Sequence, residues 1–137
     1  MPKVFTSETQ KTGKIGEGVA VKFLMKHGFS ILDQNYTKKW GEIDIVAEKA
    51  NKIYFIEVKS VASADVKTLA DKRETRDDYR PEDNMHPWKL KRLSRVIQTY
   101  IFSKKLDDRD WQVDLLIVFL ELKNKKARVK VEKDIIL

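Results

Sequence analysis

Two runs between positions 40 and 60 interleave apolar and charged residues: Trp40-Gly41-Glu42-Ile43-Asp44-Ile45-Val46-Ala47 and Ile53-Tyr54-Phe55-Ile56-Glu57-Val58-Lys59-Ser60. Both are rich in β-branched and aromatic side chains, which predicts strands. The polar Lys49-Ala50-Asn51-Lys52 between them suits a tight hairpin turn. Upstream, Ile15, Val19 and Phe23 recur at four-residue spacing with Gly16, Ala20 and Leu24 alongside. That pattern predicts a helix from about Ser7 or Thr9 to His27, stopped by Gly28. Residues 29–37 read as a first strand carrying Phe29, Ile31 and Leu32. A second helix is expected over 86–105, with Pro87 in its first turn and Leu90, Leu93, Ile97, Tyr100 and Ile101 as its apolar face. Residues 111–120 form the most apolar strand. Asp114 interrupts it, with a role in the fold or in the outer shell of a site. Lys123-Asn124-Lys125 suits a turn, and residues 126–133 alternate as a one-sided edge strand. The order is helix, three strands, loop, helix, two strands, which fits an α/β sandwich with a mixed sheet flanked by helices.

Residues 62–85 break the pattern. They hold five basic and seven acidic residues and almost no large apolar side chain. A segment of this kind is a functional or flexible loop, and a flap beside the site that orders on substrate is the expectation. A short helix across 65–73 is an alternative, and Arg73, Arg76 and Arg80 are candidate phosphate clamps.

The 137 residues suit one domain, 1–137. The net charge of +7 favours polyanionic partners, nucleic acid above all. Cysteine is absent, which excludes disulfides, zinc–thiolate sites and cysteine catalysis. No apolar run approaches the ~20 residues that span a membrane, and no signal-peptide core is visible. A soluble, cytoplasmic protein is expected. No Gly-rich phosphate loop is present.

The two central runs also carry the chemistry. With Ala50-Asn51 as the loop, Asp44 falls opposite Glu57, their Cβ atoms about 5 Å apart on one face. Lys59, two residues on, leaves that same face. Carboxylate oxygens are natural ligands of Mg²⁺ or Mn²⁺. Close carboxylates repel one another until a cation joins them. A bound metal polarises phosphate and lowers the pKa of water, and a neighbouring lysine orients that water or stabilises charge on phosphorus. Asp44, Glu57 and Lys59 thus form a hydrolytic set. Charged residues on a solvent-facing hairpin are the bland alternative, but charges among such dense apolar residues are costly unless used.

The chain resembles the PD-(D/E)XK nucleases of restriction-endonuclease-like fold, more closely the YraN-like family, and more distantly the archaeal Holliday-junction resolvases. The resemblance rests on Gly16-Glu17, Val19-Ala20, Phe23-Leu24, Gly28-Phe29, Ile31-Leu32, Asn35-Tyr36 and the two strand runs. It is strong over 13–60 and weaker to about 120. It implies an αβββαβ core, metal on Asp44 and Glu57, and Lys59 assisting the water. It also implies Glu17 on the first helix as a further member of the site; taken alone, Glu17 reads as a solvated helix residue. The first-motif proline of the superfamily is replaced by Ile43, and Gln98-Thr99-Tyr100 has the wrong spacing for its Gln-x-x-x-Tyr helix motif.

The leading expectation is a metal-dependent endonuclease on DNA, branched or damaged structures included, with RNA left open. Its metal ligands would be Asp44, Glu57, the Val58 carbonyl and Glu17, and its backbone contacts Lys89, Lys91, Arg92, Arg95 and Arg80. A nucleic-acid-binding protein without turnover and an interaction subunit are the alternatives. A homodimer is an expectation from the resolvases alone, with Ile135-Ile136-Leu137 as candidate interface. Trp40 stacks on a base or serves packing. His86 reads as structural or exposed rather than catalytic.

Overall fold

The hairpin at Ala50-Asn51 forms with both residues left-handed, at φ 51° and 65°. Those angles belong to the tight hairpin turn whose twist matches that of the flanking strands. In the computed structural model the described residues are 8–63 and 87–137. The expectations placed on the N-terminal start, the flap, the 65–73 helix, Arg73, Arg76, Arg80 and His86 lie outside them.

The element order is α1 (Glu8–Lys26), β1 (Ser30–Lys38), β2 (Gly41–Lys49), β3 (Lys52–Ser63), α2 (Pro87–Ser103), β4 (Trp111–Glu121) and β5 (Lys126–Glu132). The strands form one sheet in the order β1-β2-β3-β4-β5. Only β3 and β4 run parallel; the other pairs are antiparallel. A parallel pair needs a long crossover, and α2 lies within it. β3 runs to Ser63, two residues into the segment expected to be loop. Its backbone keeps pairing there, Ala62 with Leu120 and Ser63 with Glu121, and a ladder needs no large side chains.

α1 ends as the Gly28 signal implies. Gly28 has φ 87°; its N–H donates to the Met25 carbonyl, and that of Phe29 to the Leu24 carbonyl at 3.0 Å. These two bonds form a Schellman cap. The buried line of α1 is Gly16, Ala20 and Leu24, while Ile15 is 49% exposed. The larger residues at 15, 19 and 23 were the expected stripe. The smaller line wins because it lets the helix lie close on β3: a Cβ at Gly16 would sit 1.7 Å from Ser60 Oγ.

α1 covers one face of the sheet, with Ala20 and Leu24 against Ile45, Ala47, Ile56, Leu116 and Val118. α2 covers the other, with Leu93, Val96, Ile97, Tyr100 and Ile101 against Ile43, Val46, Phe55, Val113 and Ile117. β4 is buried along nearly its whole length because both faces are covered. Asp114 has a fold role: its Oδ1 accepts from Gln112 Nε2 at 2.6 Å and from the Asp134 N–H at 3.0 Å. Trp40 serves packing, its indole N–H donating to Thr99 Oγ1 at 3.3 Å. Ile135 packs on the core, whereas Ile136 is 87% exposed. Among the described residues no helix is long and apolar enough to cross a membrane.

Candidate metal centre

Side chains on a regular strand alternate faces, yet β2 breaks this rule at Asp44. Ile43 packs under α2, and Ile45 packs under α1. Two odd-numbered neighbours thus lie on opposite faces. The partner strand is irregular at the same level, where Asn35 adopts a left-handed φ of 54° between Gln34, paired with Ile45, and Tyr36, paired with Ile43. On the other side the β2–β3 ladder stops at Ile45–Ile56. Asp44 continues that register toward Glu57 but takes a different partner. Its Oδ2 accepts the Val58 N–H at 2.8 Å. The side chain has taken the place of a ladder bond and sits where β2 and β3 part.

Asp44 therefore lines two clefts. One, of about 920 Å³, lies on the α1 side and includes Glu17, Asn35, Glu42, Lys59 and Ser60. The other, of about 370 Å³, lies on the α2 side with Glu42, Glu57, Trp88, Lys89 and Arg92. Carboxylate oxygens of Glu17, Glu42 and Asp44 lie within 4.8 Å of one another. Asp44 and Glu57 also line the α2-side cleft together, and each acts on the other's ionisation. Asn35 ties the group together: with its amide nitrogen facing the carboxylates, it donates to Glu17 Oε1 and Glu42 Oε1, each at 3.2 Å.

The charge is poorly compensated. Burial pushes the Glu17 carboxyl up to about 7, with Asp44 and Glu42 adding to the effect. Burial likewise raises Glu57 to about 8, with Asp44 next and Lys89 opposing. Asp44 is raised by burial, against the pull of the Val58 N–H. Like charges that cannot all ionise in a partly dry site are relieved by a cation. The donors are all hard oxygens, so the set fits a divalent ion such as Mg²⁺ or Mn²⁺. A group of acidic residues that could hold a metal ion is thus present.

The expected residues separate into groups. Glu17 and Asp44 come together in the triad, and Glu57 adjoins it through Asp44 from the α2 side. Lys59 does not share a cleft with Glu57 as expected: Lys59 is exposed and lines the α1-side cleft, whereas Glu57 lines the α2-side one, because the strands part beyond Ile45–Ile56. The N–H and C=O of one extended residue leave the same strand edge, so the Val58 carbonyl faces the Asp44 side. Lys89 does not stand free for a backbone contact: its Nζ lies 3.5 Å from Glu57 Oε2. Arg92 donates through Nε to the Trp40 carbonyl at 3.1 Å. The Arg95 guanidinium lies 4.7 Å from the centre of the Trp40 ring. Lys91 is exposed. Sequence reasoning missed Glu42 and Asn35 as site residues. Glu42 carried a usable signal, since it stands two residues before Asp44 on a strand. Asn35 entered only through the resemblance, because its role depends on a left-handed backbone position, φ 54°, between the pairs Gln34–Ile45 and Tyr36–Ile43.

A five-stranded mixed sheet with a helix on each face, its acidic groups meeting where β2 and β3 part, defines a restriction-endonuclease-like α/β core. The pattern of Uncharacterised protein family UPF0102 matches residues 16–118, and the chain belongs to that family. It is similar to the UPF0102 protein of Flavobacterium psychrophilum, 34% identical over 88% of this chain and 90% of that one. Over 93% of this chain and 90% of the relative it is 34% identical to the UPF0102 protein of Syntrophus aciditrophicus. A Campylobacter hominis member is 35% identical over 77% of this chain and 81% of its own length. Among solved structures, Pyrococcus furiosus SfsA in complex with Ca²⁺ superposes with a TM-score of 0.37 at 15% identity. That match covers 93% of this chain and 64% of the other.

Proposed function

We propose that the protein is a metal-dependent endonuclease that hydrolyses phosphodiester bonds in DNA, with branched or repair intermediates as its substrates. The observation that carries the reading is the meeting of Glu17, Glu42 and Asp44 within 4.8 Å in a cleft of about 920 Å³, with Glu57 reached through Asp44 from the neighbouring cleft. Asp44, Glu42, Glu17 and Glu57 would hold the ion. When bound, Mg²⁺ or Mn²⁺ supplies positive charge to phosphate oxygens and makes water more acidic. The protein's own part is positional. The Val58 N–H fixes the Asp44 carboxylate, and Asn35 fixes Glu17 and Glu42. Lys59, exposed at the cleft wall, can donate hydrogen bonds to the incoming water or to the phosphate oxygen that gains charge as phosphorus is attacked. Arg92 and Lys91 lie on the helix bordering the second cleft, and the net charge of +7 favours a polyanion.

The test uses labelled linear, single-stranded, flapped and four-way DNA with Mg²⁺ or Mn²⁺. Cleavage of at least one substrate by the wild type, lost in Asp44→Asn and reduced in Lys59→Ala, supports the reading. Equal cleavage by purified Asp44→Asn defeats it.

One observation favours a second reading, a nucleic-acid-binding protein without turnover. Lys89 partly offsets the charge of Glu57 from within the chain, a partner the protein itself supplies in place of an ion. Calorimetry separates the two: the binding module has no Mn²⁺ site that disappears with Asp44→Ala.

A further inference from the structure

The ion pair between Lys89 and Glu57 is uneven. The Glu57 side chain is 12% exposed, fixed on β3 among buried neighbours, whereas the Lys89 side chain is 49% exposed at the start of α2. Their separation of 3.5 Å exceeds the roughly 2.7–2.9 Å of a tight charge-assisted hydrogen bond. Glu57 is thus the stationary partner and Lys89 the movable one, with solvent open to it. Lys89 also offsets the charge of Asp44, so one ammonium serves both carboxylates. It does so from within the α2-side cleft, which Asp44 and Glu57 share.

We propose that Lys89 is a resident counter-ion which a divalent metal must evict, so that occupancy of Glu57 by the ammonium and by the ion is mutually exclusive. This rests on the metal-centre reading above. Two physical reasons support exclusion. The ammonium and the ion both seek the cleft-facing oxygens of Glu57. A divalent charge at Asp44 also repels an ammonium beside it. Eviction does not waste the charge. The lysine stays tethered at the cleft rim beside Arg92 and Trp88, where a phosphate of a bound strand can receive it. Loading of the metal then converts a group that masks the site into one that attracts substrate, and the two ligands become coupled.

Calorimetric titration with Mn²⁺ alone tests this on the full chain, with wild type, Lys89→Gln, Lys91→Gln and Asp44→Asn compared at one salt concentration. Lys91 is two residues further along the helix, on its other side, and does not line the cleft. It controls for simple removal of a positive charge. The expected result is Mn²⁺ binding tightened roughly three- to fivefold in Lys89→Gln, the size of a part-exposed ion pair, and little changed in Lys91→Gln. Unchanged or weaker binding in Lys89→Gln overturns the exchange while leaving the metal centre intact. Equal tightening in both lysine variants also overturns it, since that is a long-range field effect. A wild type with no Mn²⁺ site sensitive to Asp44→Asn removes the metal centre itself, and the exchange with it.

Discussion

Asp44 Oδ2 accepts the backbone N–H of Val58 at 2.8 Å, a side chain standing in for the strand partner that β3 lacks at this level. The bond couples the fold to the site, because the group that closes the gap between β2 and β3 is also the central carboxylate. An amide oxygen can accept the same N–H. Asp44→Asn should therefore keep its circular-dichroism melting curve within a few degrees of wild type and lose Mn²⁺ binding in the same preparation. Loss of folding in that variant would show that the charge, rather than the hydrogen bond, holds the strands.

Gly16 sets how closely α1 approaches β3. An added Cβ would meet Ser60 Oγ at 1.7 Å and Ser60 Cβ at 2.8 Å. The hydroxyl can rotate away, but the Cβ cannot, so the helix must shift, and Glu17 moves with it. Gly16→Ala is expected to destabilise by about 1–2 kcal/mol, after the ~1 kcal/mol that alanine regains in a helix. Ser60→Ala in the same chain should recover part of the loss. Denaturant unfolding of both variants measures this, and a Gly16→Ala protein more stable than wild type contradicts the close approach.

Asn35 combines an unusual backbone with a site contact. Its φ of 54° suits asparagine and glycine, and its amide spans Glu17 and Glu42. Asn35→Gly keeps the backbone and removes the amide. It should fold normally and bind Mn²⁺ several-fold differently from wild type. Asn35→Ala should additionally lose about 1 kcal/mol of stability to the left-handed conformation. Equal stability of the two variants would rule out backbone strain as the reason for asparagine here.

The hairpin turn holds Ala50 at φ 51°, a conformation that costs an alanine about 1–2 kcal/mol. Glycine adopts it freely but loses more entropy on folding. Ala50→Gly should leave a net gain of about 0.5–1 kcal/mol, read as a higher melting temperature.

The carboxyl groups predict a pH dependence with a definite sign. Glu57 is raised from 4.5 to about 8 and Glu17 from 4.5 to about 7 in the folded chain. Between pH 4.5 and 8 the native state therefore holds more protons than the unfolded one. Metal-free stability should fall as pH rises through this window. Glu57→Gln should flatten the decline. Binding of Mn²⁺ near pH 7 should release protons, seen as a calorimetric enthalpy that depends on the buffer's ionisation heat. A metal-free stability that climbs from pH 5 to 8 would contradict the assignment of these groups.

The local pattern of the chain was enough to determine the element order, the hairpin turn at Ala50-Asn51, the helix stop at Gly28 and the edge position of β5. Each depends on residues a few positions apart, on periodicity or on a turn preference. The same hairpin turn put Asp44 and Glu57 near one another, but the ladder ends at Ile45–Ile56, Asp44 bonds Val58 instead, and Glu57 and Lys59 line different clefts. Tertiary structure alone decided what surrounds them. Ile43 and Ile45 go to opposite faces across from the left-handed Asn35, and Asp44 between them lines both clefts. The packing of Gly16 on Ser60 carries Glu17 to the triad, and the start of α2 brings Lys89 onto Glu57. These contacts join residues far apart in the chain, and their geometry depends on how two layers of helix close over one irregular sheet.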